Sequence, residues 1–175
     1  MQTIDKKKFI VDVILPNYNK FNFLEEAIDS VLNQTFKNWK LYIIDDASTD
    51  ESFSIIKKFS NQSNISKIKL KKNMGPSFCR NYAIRISDSK YISFIDADDT
   101  WDKFKLEKQV YFMEKNNINF SYTDYIPFFE TNRKKIFKKR TNLKDTFNFK
   151  SFIKNSSINT TTMIIKRSIL NNLKF

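Results

Sequence analysis

The chain's 175 residues can bury one substantial core and leave little for a second, so a single domain spanning residues 1–175 is expected. Lysine and arginine (31) outnumber aspartate and glutamate (19), and the resulting charge of +12 favours polyanionic partners such as phosphates, anionic lipid or nucleic acid, without choosing among them. The chain has no histidine, one cysteine and one glycine, which excludes Ser-His machinery, histidine or cysteine metal centres, intrachain disulfides and glycine-rich phosphate loops.

In chain order, Phe9-Ile-Val-Asp-Val-Ile-Leu15 is a β-branched apolar run ending at Pro16, which predicts a buried strand with a sharp exit. Asn22-x-x-Glu25 has the form of a capping box. Leu24, Ala27, Ile28, Val31 and Leu32 follow it at helical spacing. Leu41 to Ile44 predicts a second strand ending in Asp45-Asp46, and Ser48-x-x-Glu51 predicts the cap of a helix carrying Ile55, Ile56 and Phe59 inward. The pattern repeats with a strand at Ile65 to Leu70, a turn at Asn73 to Ser77, and a helix whose stripe is Phe78, Cys79, Tyr82, Ala83 and Ile86. A fourth strand, Tyr91 to Ile95, runs into Asp96-Ala97-Asp98-Asp99.

Beyond Asp102 a helix to about Lys115 is predicted, then strands near Ile118 to Tyr122 and Tyr125 to Phe129 and a basic interruption, Arg133 to Arg140. Phe147 to Lys154 reads as a short helix, Thr160 to Ile165 as a strand and Ser168 to Leu173 as a helix start. Strands alternating with helices of this size predict a parallel sheet covered on both faces and joined by right-handed crossovers, with ligands beyond the carboxyl ends of its strands.

On such a sheet Pro16 to Tyr18, Asp45-Asp46 and Asp96-Ala97-Asp98-Asp99 reach one rim. Clustered carboxylates repel one another, and a hard divalent cation relieves the repulsion, so Asp96 and Asp98 are candidate ligands of Mg2+ or Mn2+. With no histidine present, carboxylates must carry any acid, base or metal chemistry. Acidic residues after strands also cap the next helix. That reading stays open for Asp99 and Asp102 and is favoured for Asp45. Gly75, between Asn73 and Pro76, suits a backbone conformation that a side chain would hinder, or a plain turn.

Five segments in order carry a resemblance: Val11-Asp-Val-Ile-Leu-Pro-Asn-Tyr-Asn19, Ser30-Val-Leu-Asn-Gln-Thr-Phe36, Leu41-Tyr-Ile-Ile-Asp-Asp-Ala-Ser-Thr-Asp50, Asn73-x-Gly75 with Arg80-Asn81, and Phe94-Ile-Asp-Ala-Asp-Asp99. Together they resemble the motif set of family 2 glycosyltransferases, strongly from Val11 to Lys115 and in outline beyond. The resemblance implies an α/β three-layer GT-A fold with a mainly parallel central sheet. Residues 9–115 would be the nucleotide-sugar-binding half and 116–175 an incomplete acceptor half.

By position, the resemblance implies that Pro16 and Tyr18 flank the base of a nucleotide-sugar donor, usually a UDP-sugar, with Asn19 beside them. Tyr18 would stack on the base and Asp46 would accept from the uracil imide. Asn73, Gly75 and Arg80 would face the nucleotide. Asp96, through Ala97 to Asp98, would contact ribose or metal, and Asp98 would hold the Mg2+ or Mn2+ that bridges the diphosphate. The implied reaction is metal-assisted, inverting transfer to a glycan or lipid-linked acceptor.

The carboxylate base that inverting members place after a segment resembling Asn159 to Ser168 does not occur before Phe175. The base is therefore unassigned, with Asp124, Glu130 and Asp145 as candidates that nothing in the spacing recommends. A catalytically impaired nucleotide-sugar-binding module is the alternative. Arg133 to Arg140, with six cations around Ile136 and Phe137, suits peripheral contact with an anionic membrane, or a solvated hairpin with exposed lysines. No apolar run reaches about 18 residues and the first residues are polar and basic, so a cytoplasmic protein, peripheral at the inner face of the membrane, is expected. No nucleic-acid recognition motif is present, and a nucleotidyltransferase would want a glycine-rich loop.

Overall fold

The computed structural model describes residues 10–131, 134–143 and 158–170. Four strands, β1 (Val11–Asn17), β2 (Trp39–Asp45), β3 (Ile65–Lys69) and β4 (Tyr91–Phe94), alternate with helices α1 (Phe21–Leu32), α2 (Ser52–Lys58) and α3 (Pro76–Ile86). After α4 (Lys105–Asn116) come β5 (Phe120–Ser121), the pair β6 (Phe128–Thr131) and β7 (Lys134–Phe137), and β8 (Ile164–Lys166). The main sheet has the order β3-β2-β1-β4-β8-β5, and a separate ladder joins β6 to β7. The first four strands pair in parallel; β8 runs antiparallel to both β4 and β5.

Burial on both faces explains why β1 is a continuous apolar run instead of an alternating one. Val11, Val13 and Leu15 pack with Leu24, Ile28 and Val31 of α1, Ile55 and Ile56 of α2, and Leu106, Val110 and Met113 of α4. Ile14 faces the other way, with Tyr42, Ile92 and Phe94, against Cys79 and Ala83 of α3. Three layers result, with α3 covering one face and the other three helices the opposite one.

Local expectations are corrected at several points. Pro16 does not end β1, which continues to Asn17 opposite Asp45. The Ile14 carbonyl accepts from the Ile95 N–H, so the even-numbered residues of β1 turn their backbone toward β4. Pro16 lies past the last residue of β4, and its missing N–H forfeits no ladder bond.

Neither anticipated cap forms. Helix α1 starts at Phe21, whose N–H donates to Asp50 at 3.0 Å, while the Lys20 N–H donates to Ser52 Oγ at 3.2 Å. Helix α2 starts at Ser52, four residues after Ser48, because Ser48 is engaged by Asp45 and Asn17. In α3 the inward stripe is narrower than its pattern, since Ile86 is exposed. The segment from Thr160 is a 3-10 turn, Thr160–Thr162, before β8 begins. The short helix expected at 147–154 lies outside the described residues, and that expected from Ser168 is a 3-10 turn, Arg167–Ile169, as far as residue 170.

Candidate functional site

The carboxyl ends of β1, β2 and β4 meet at a cavity of about 490 Å3 lined by residues that include Pro16, Tyr18, Asp46, Asn73, Gly75, Arg80, Asp96, Ala97 and Asp98. Of the sequence-predicted residues Asn19 alone is not in its wall. Asn19 adopts φ 52°, a left-handed conformation that asparagine tolerates. Its side-chain oxygen accepts from the Thr49 and Asp50 N–H groups at 2.8 and 3.3 Å. Asn19 thus closes the loop after β2 and shapes the site from behind. Asp45 is also internal, fully buried and bonded to Asn17 Nδ2 at 2.9 Å and to the Ser48 hydroxyl.

Asp46 is 2% exposed. Its two oxygens accept from the Met74 and Gly75 N–H groups at 2.7 and 2.8 Å. One carboxylate therefore ties the turn before α3 to the end of β2, leaving only its remaining lone pairs for a ligand. Gly75 sits at φ +87°, with open space where a Cβ would lie. Its requirement for glycine comes from the backbone angle, not from crowding. Burial, reinforced by the neighbouring Asp46 carboxylate, pushes the Cys79 thiol up to about 12, so this wall of the cavity is a small inert surface.

In the triplet, Ala97 is 4% exposed and packs into the core, which anchors the turn and leaves Asp96 and Asp98 at the rim. Both are paired with cations. Arg80 Nη2 lies 2.5 Å from Asp96 Oδ1, and Lys20 Nζ lies 2.7 Å from Asp98 Oδ2. Lys20, in the cavity wall, escaped the sequence reading although it directly follows the first quoted motif, and Asn17, inside the Pro16 to Tyr18 segment placed on the rim, was given no role of its own. Arg80 Nε and Asn17 Oδ1 are buried with no hydrogen-bond partner among the described residues. Tyr18 remains 45% exposed, an uncovered ring in the cavity wall.

Asp96 and Asp98 also border a second cavity of about 910 Å3, with Asp99, Trp101, Lys105, Asp124, Tyr125 and Arg140 in its wall. Burial, then the Asp96 and Asp98 charges, push the Asp99 carboxyl up to about 6, opposed by a hydrogen bond from Thr161. Burial pulls the Lys105 ammonium down to about 7; it lies 4.1 Å over the Trp101 ring. Among the base candidates, Asp124 accepts from the Leu143 N–H at 2.8 Å and pairs with Arg140 at 3.3 Å. Asp145 and the side chain of Glu130 lie outside the described residues.

Residues 12–174 match the family described as Glycosyl transferase family 2. The Escherichia coli UDP-Glc:alpha-D-GlcNAc-diphosphoundecaprenol beta-1,3-glucosyltransferase WfgD is 35% identical over 170 residues, covering 95% of this chain and 64% of that protein. Among solved structures, S. aureus TarS 1-349 in complex with UDP superposes with a TM-score of 0.71 at 23% identity, over 95% of this chain and 50% of that one. The Pyrobaculum calidifontis mannosyltransferase PcManGT in complex with GDP-Man and Mn2+ gives 0.69 at 17%, over 93% and 46%. The chain spans between 13% and 64% of the length of the curated relatives it matches. With its motifs on the strand ends and a family match across almost its whole length, the chain belongs to glycosyl transferase family 2 and has the GT-A fold.

Proposed function

We propose that this chain binds a nucleotide diphosphate-sugar, most simply a UDP-sugar, in the 490 Å3 cavity and serves metal-assisted, inverting transfer of the sugar to a glycan or lipid-linked acceptor. The observation that carries this is the meeting of Tyr18, Arg80, Asp96 and Asp98 in one cavity at the strand ends. Tyr18 offers its exposed ring to the base, Asp46 holds the adjoining turn, and Arg80, in the cavity wall, supplies positive charge to the phosphates. The names of WfgD and TarS support a UDP-linked donor, and that of WfgD a diphosphoundecaprenol-linked acceptor.

The donor set fits Mg2+ or Mn2+: Asp96 and Asp98 offer hard oxygens, with side chains 33% and 44% exposed, so a ligand can reach them. Among the described residues no three acidic, cysteine or histidine side chains form a metal cage, so the remaining ligands would be diphosphate and water oxygens. Such an ion would offset the charge that develops on the departing nucleoside diphosphate. Calorimetric titration with UDP is expected to show binding with Mn2+ and at least about tenfold weaker binding with EDTA. Absence of UDP binding in both conditions overturns the reading.

In this reading the donor binds within residues 9–115, and the acceptor enters the 910 Å3 cavity, much of whose wall comes from described residues after 116. Of the three base candidates only the Asp124 side chain lies among the described residues, and its engagement with Arg140 and the Leu143 N–H favours keeping the impaired-module reading. Among the described residues no helix is long and apolar enough to cross a membrane. The β6–β7 ladder exposes Phe129, Ile136 and Phe137 beside Lys134, Lys138, Lys139 and Arg140, supporting a cytoplasmic protein held peripherally at an anionic inner leaflet. Co-sedimentation with phosphatidylglycerol vesicles is expected to be strong at low salt and lost at about 0.5 M salt; equal recovery with neutral vesicles sinks the electrostatic docking.

A further inference from the structure

Resting on the donor-site reading above, we infer that Lys20 is a diphosphate-binding residue of this chain. Lys20 and Arg80 act as built-in counter-ions of the rim aspartates that couple binding of the metal to binding of the nucleotide. The argument starts from charge at the rim. Of the three carboxylates in the cavity wall, Asp46 is engaged by two backbone amides. The other two, Asp96 and Asp98, each carry a cation in direct contact, Arg80 and Lys20. The two rim aspartates are thus each matched by one cation, and Asp46 is held apart by its amides.

A divalent ion arriving alone must push both cations off their carboxylates and leaves two surplus positive charges in a small space. A nucleotide diphosphate-sugar arriving alone, with one charge on each phosphate, meets cations that are already held and carboxylates that repel it. When both arrive together the charges cancel. The metal takes the aspartates, and the displaced ammonium and guanidinium move to phosphate oxygens within the same cavity. Two features suit this exchange. The Lys20 side chain is 42% exposed on a flexible stem, free to swing over a few ångströms. Arg80 carries its unpartnered buried Nε beside the rim, a donor still wanting an oxygen.

The consequence is positive coupling, which is reciprocal by linkage: Mn2+ strengthens UDP binding by the same factor as UDP strengthens Mn2+ binding. Lys20→Met removes one counter-ion while keeping the aliphatic stem. The Lys20 backbone contact to Ser52 is untouched, so the fold is retained and thermal denaturation verifies it. Electron paramagnetic resonance of free Mn2+ is expected to show Mn2+ alone binding K20M about tenfold more tightly than wild type. Calorimetry in saturating Mn2+ is expected to show UDP binding about tenfold more weakly, while UDP binding without Mn2+, where wild-type Lys20 is already held by Asp98, changes less, so the coupling factor falls. Lys20→Arg should keep most of the coupling, which a purely structural role would not distinguish from K20M.

Unchanged Mn2+ affinity in K20M overturns the counter-ion role whether or not UDP binds, and unchanged UDP affinity overturns the phosphate contact. Failure of wild type to bind UDP under any condition instead overturns the donor-site reading, while the Mn2+-only comparison still judges Lys20.

Discussion

Asp98→Asn is expected to weaken Mn2+-dependent UDP binding by roughly 100-fold, close to 2.7 kcal/mol, with little change in thermal stability. The two halves of this expectation have separate causes. Asparagine keeps one oxygen and loses the charge, so a hard divalent ion loses a strong ligand and Lys20 loses its partner at 2.7 Å. The side chain is 44% exposed, and a surface ion pair of this kind contributes only about 0–1 kcal/mol to folding. Ala97, which anchors the turn in the core, is untouched. Wild-type UDP affinity in D98N would remove Asp98 from the metal site.

Arg167→Ala should have the larger effect on the fold, on the order of 3–5 kcal/mol, or about 10 °C in melting temperature. Asp12 is completely buried near the start of β1, where it accepts from the Ser89 N–H and hydroxyl, both at 2.8 Å, and from Arg167 Nη2 at 3.0 Å. The same guanidinium donates to the Ser89 and Ile84 carbonyls at 2.8 and 2.9 Å and to Ser87 Oγ at 2.7 Å. Truncation leaves a buried carboxylate without its counter-charge and the Ser89 carbonyl without its donor, while the Ile84 carbonyl keeps only the Ser87 hydroxyl at 3.3 Å. Arg167→Lys restores the charge but not the fork, and should recover only part of the loss. Because Asp12 lies at the opposite end of β1 from Pro16, the folded fraction of R167A should bind UDP and Mn2+ as wild type does. A melting temperature within about 2 °C of wild type would show that the network is dispensable.

Four parallel strands and four helices could be read directly from the amino-acid order, because β1, β2 and β4 are rich in β-branched and aromatic residues, β3 carries Ile65 and Ile68 between turns, and each helix keeps an apolar stripe at 3.6-residue spacing. The boundaries were less legible. Whether Pro16 breaks β1 depends on whether β4 extends alongside it, and whether Ser48 caps α2 depends on Asn17 and Asp45 claiming its hydroxyl first. The antiparallel placement of β8 between β4 and β5 was also out of reach, since three residues, Ile164–Lys166, hold too little pattern to state a direction.

At the site, residue type and order determined that carboxylates would meet at the strand ends, since a chain without histidine and with a single glycine has few other means of meeting a diphosphate. Nine of the ten residues named from the order of the motifs do line one cavity. What only the tertiary structure decided is how they are employed. Asp46 is turned onto the Met74 and Gly75 amides, Asn19 closes the loop behind the site, and Arg167 reaches Asp12 across 155 positions of sequence. Lys20 and Arg80 neutralise Asp98 and Asp96 across 78 and 16 positions. Sequence spacing carries the period of a helix or strand, whereas the pairing of distant charges depends on distances that exist only after the sheet has assembled.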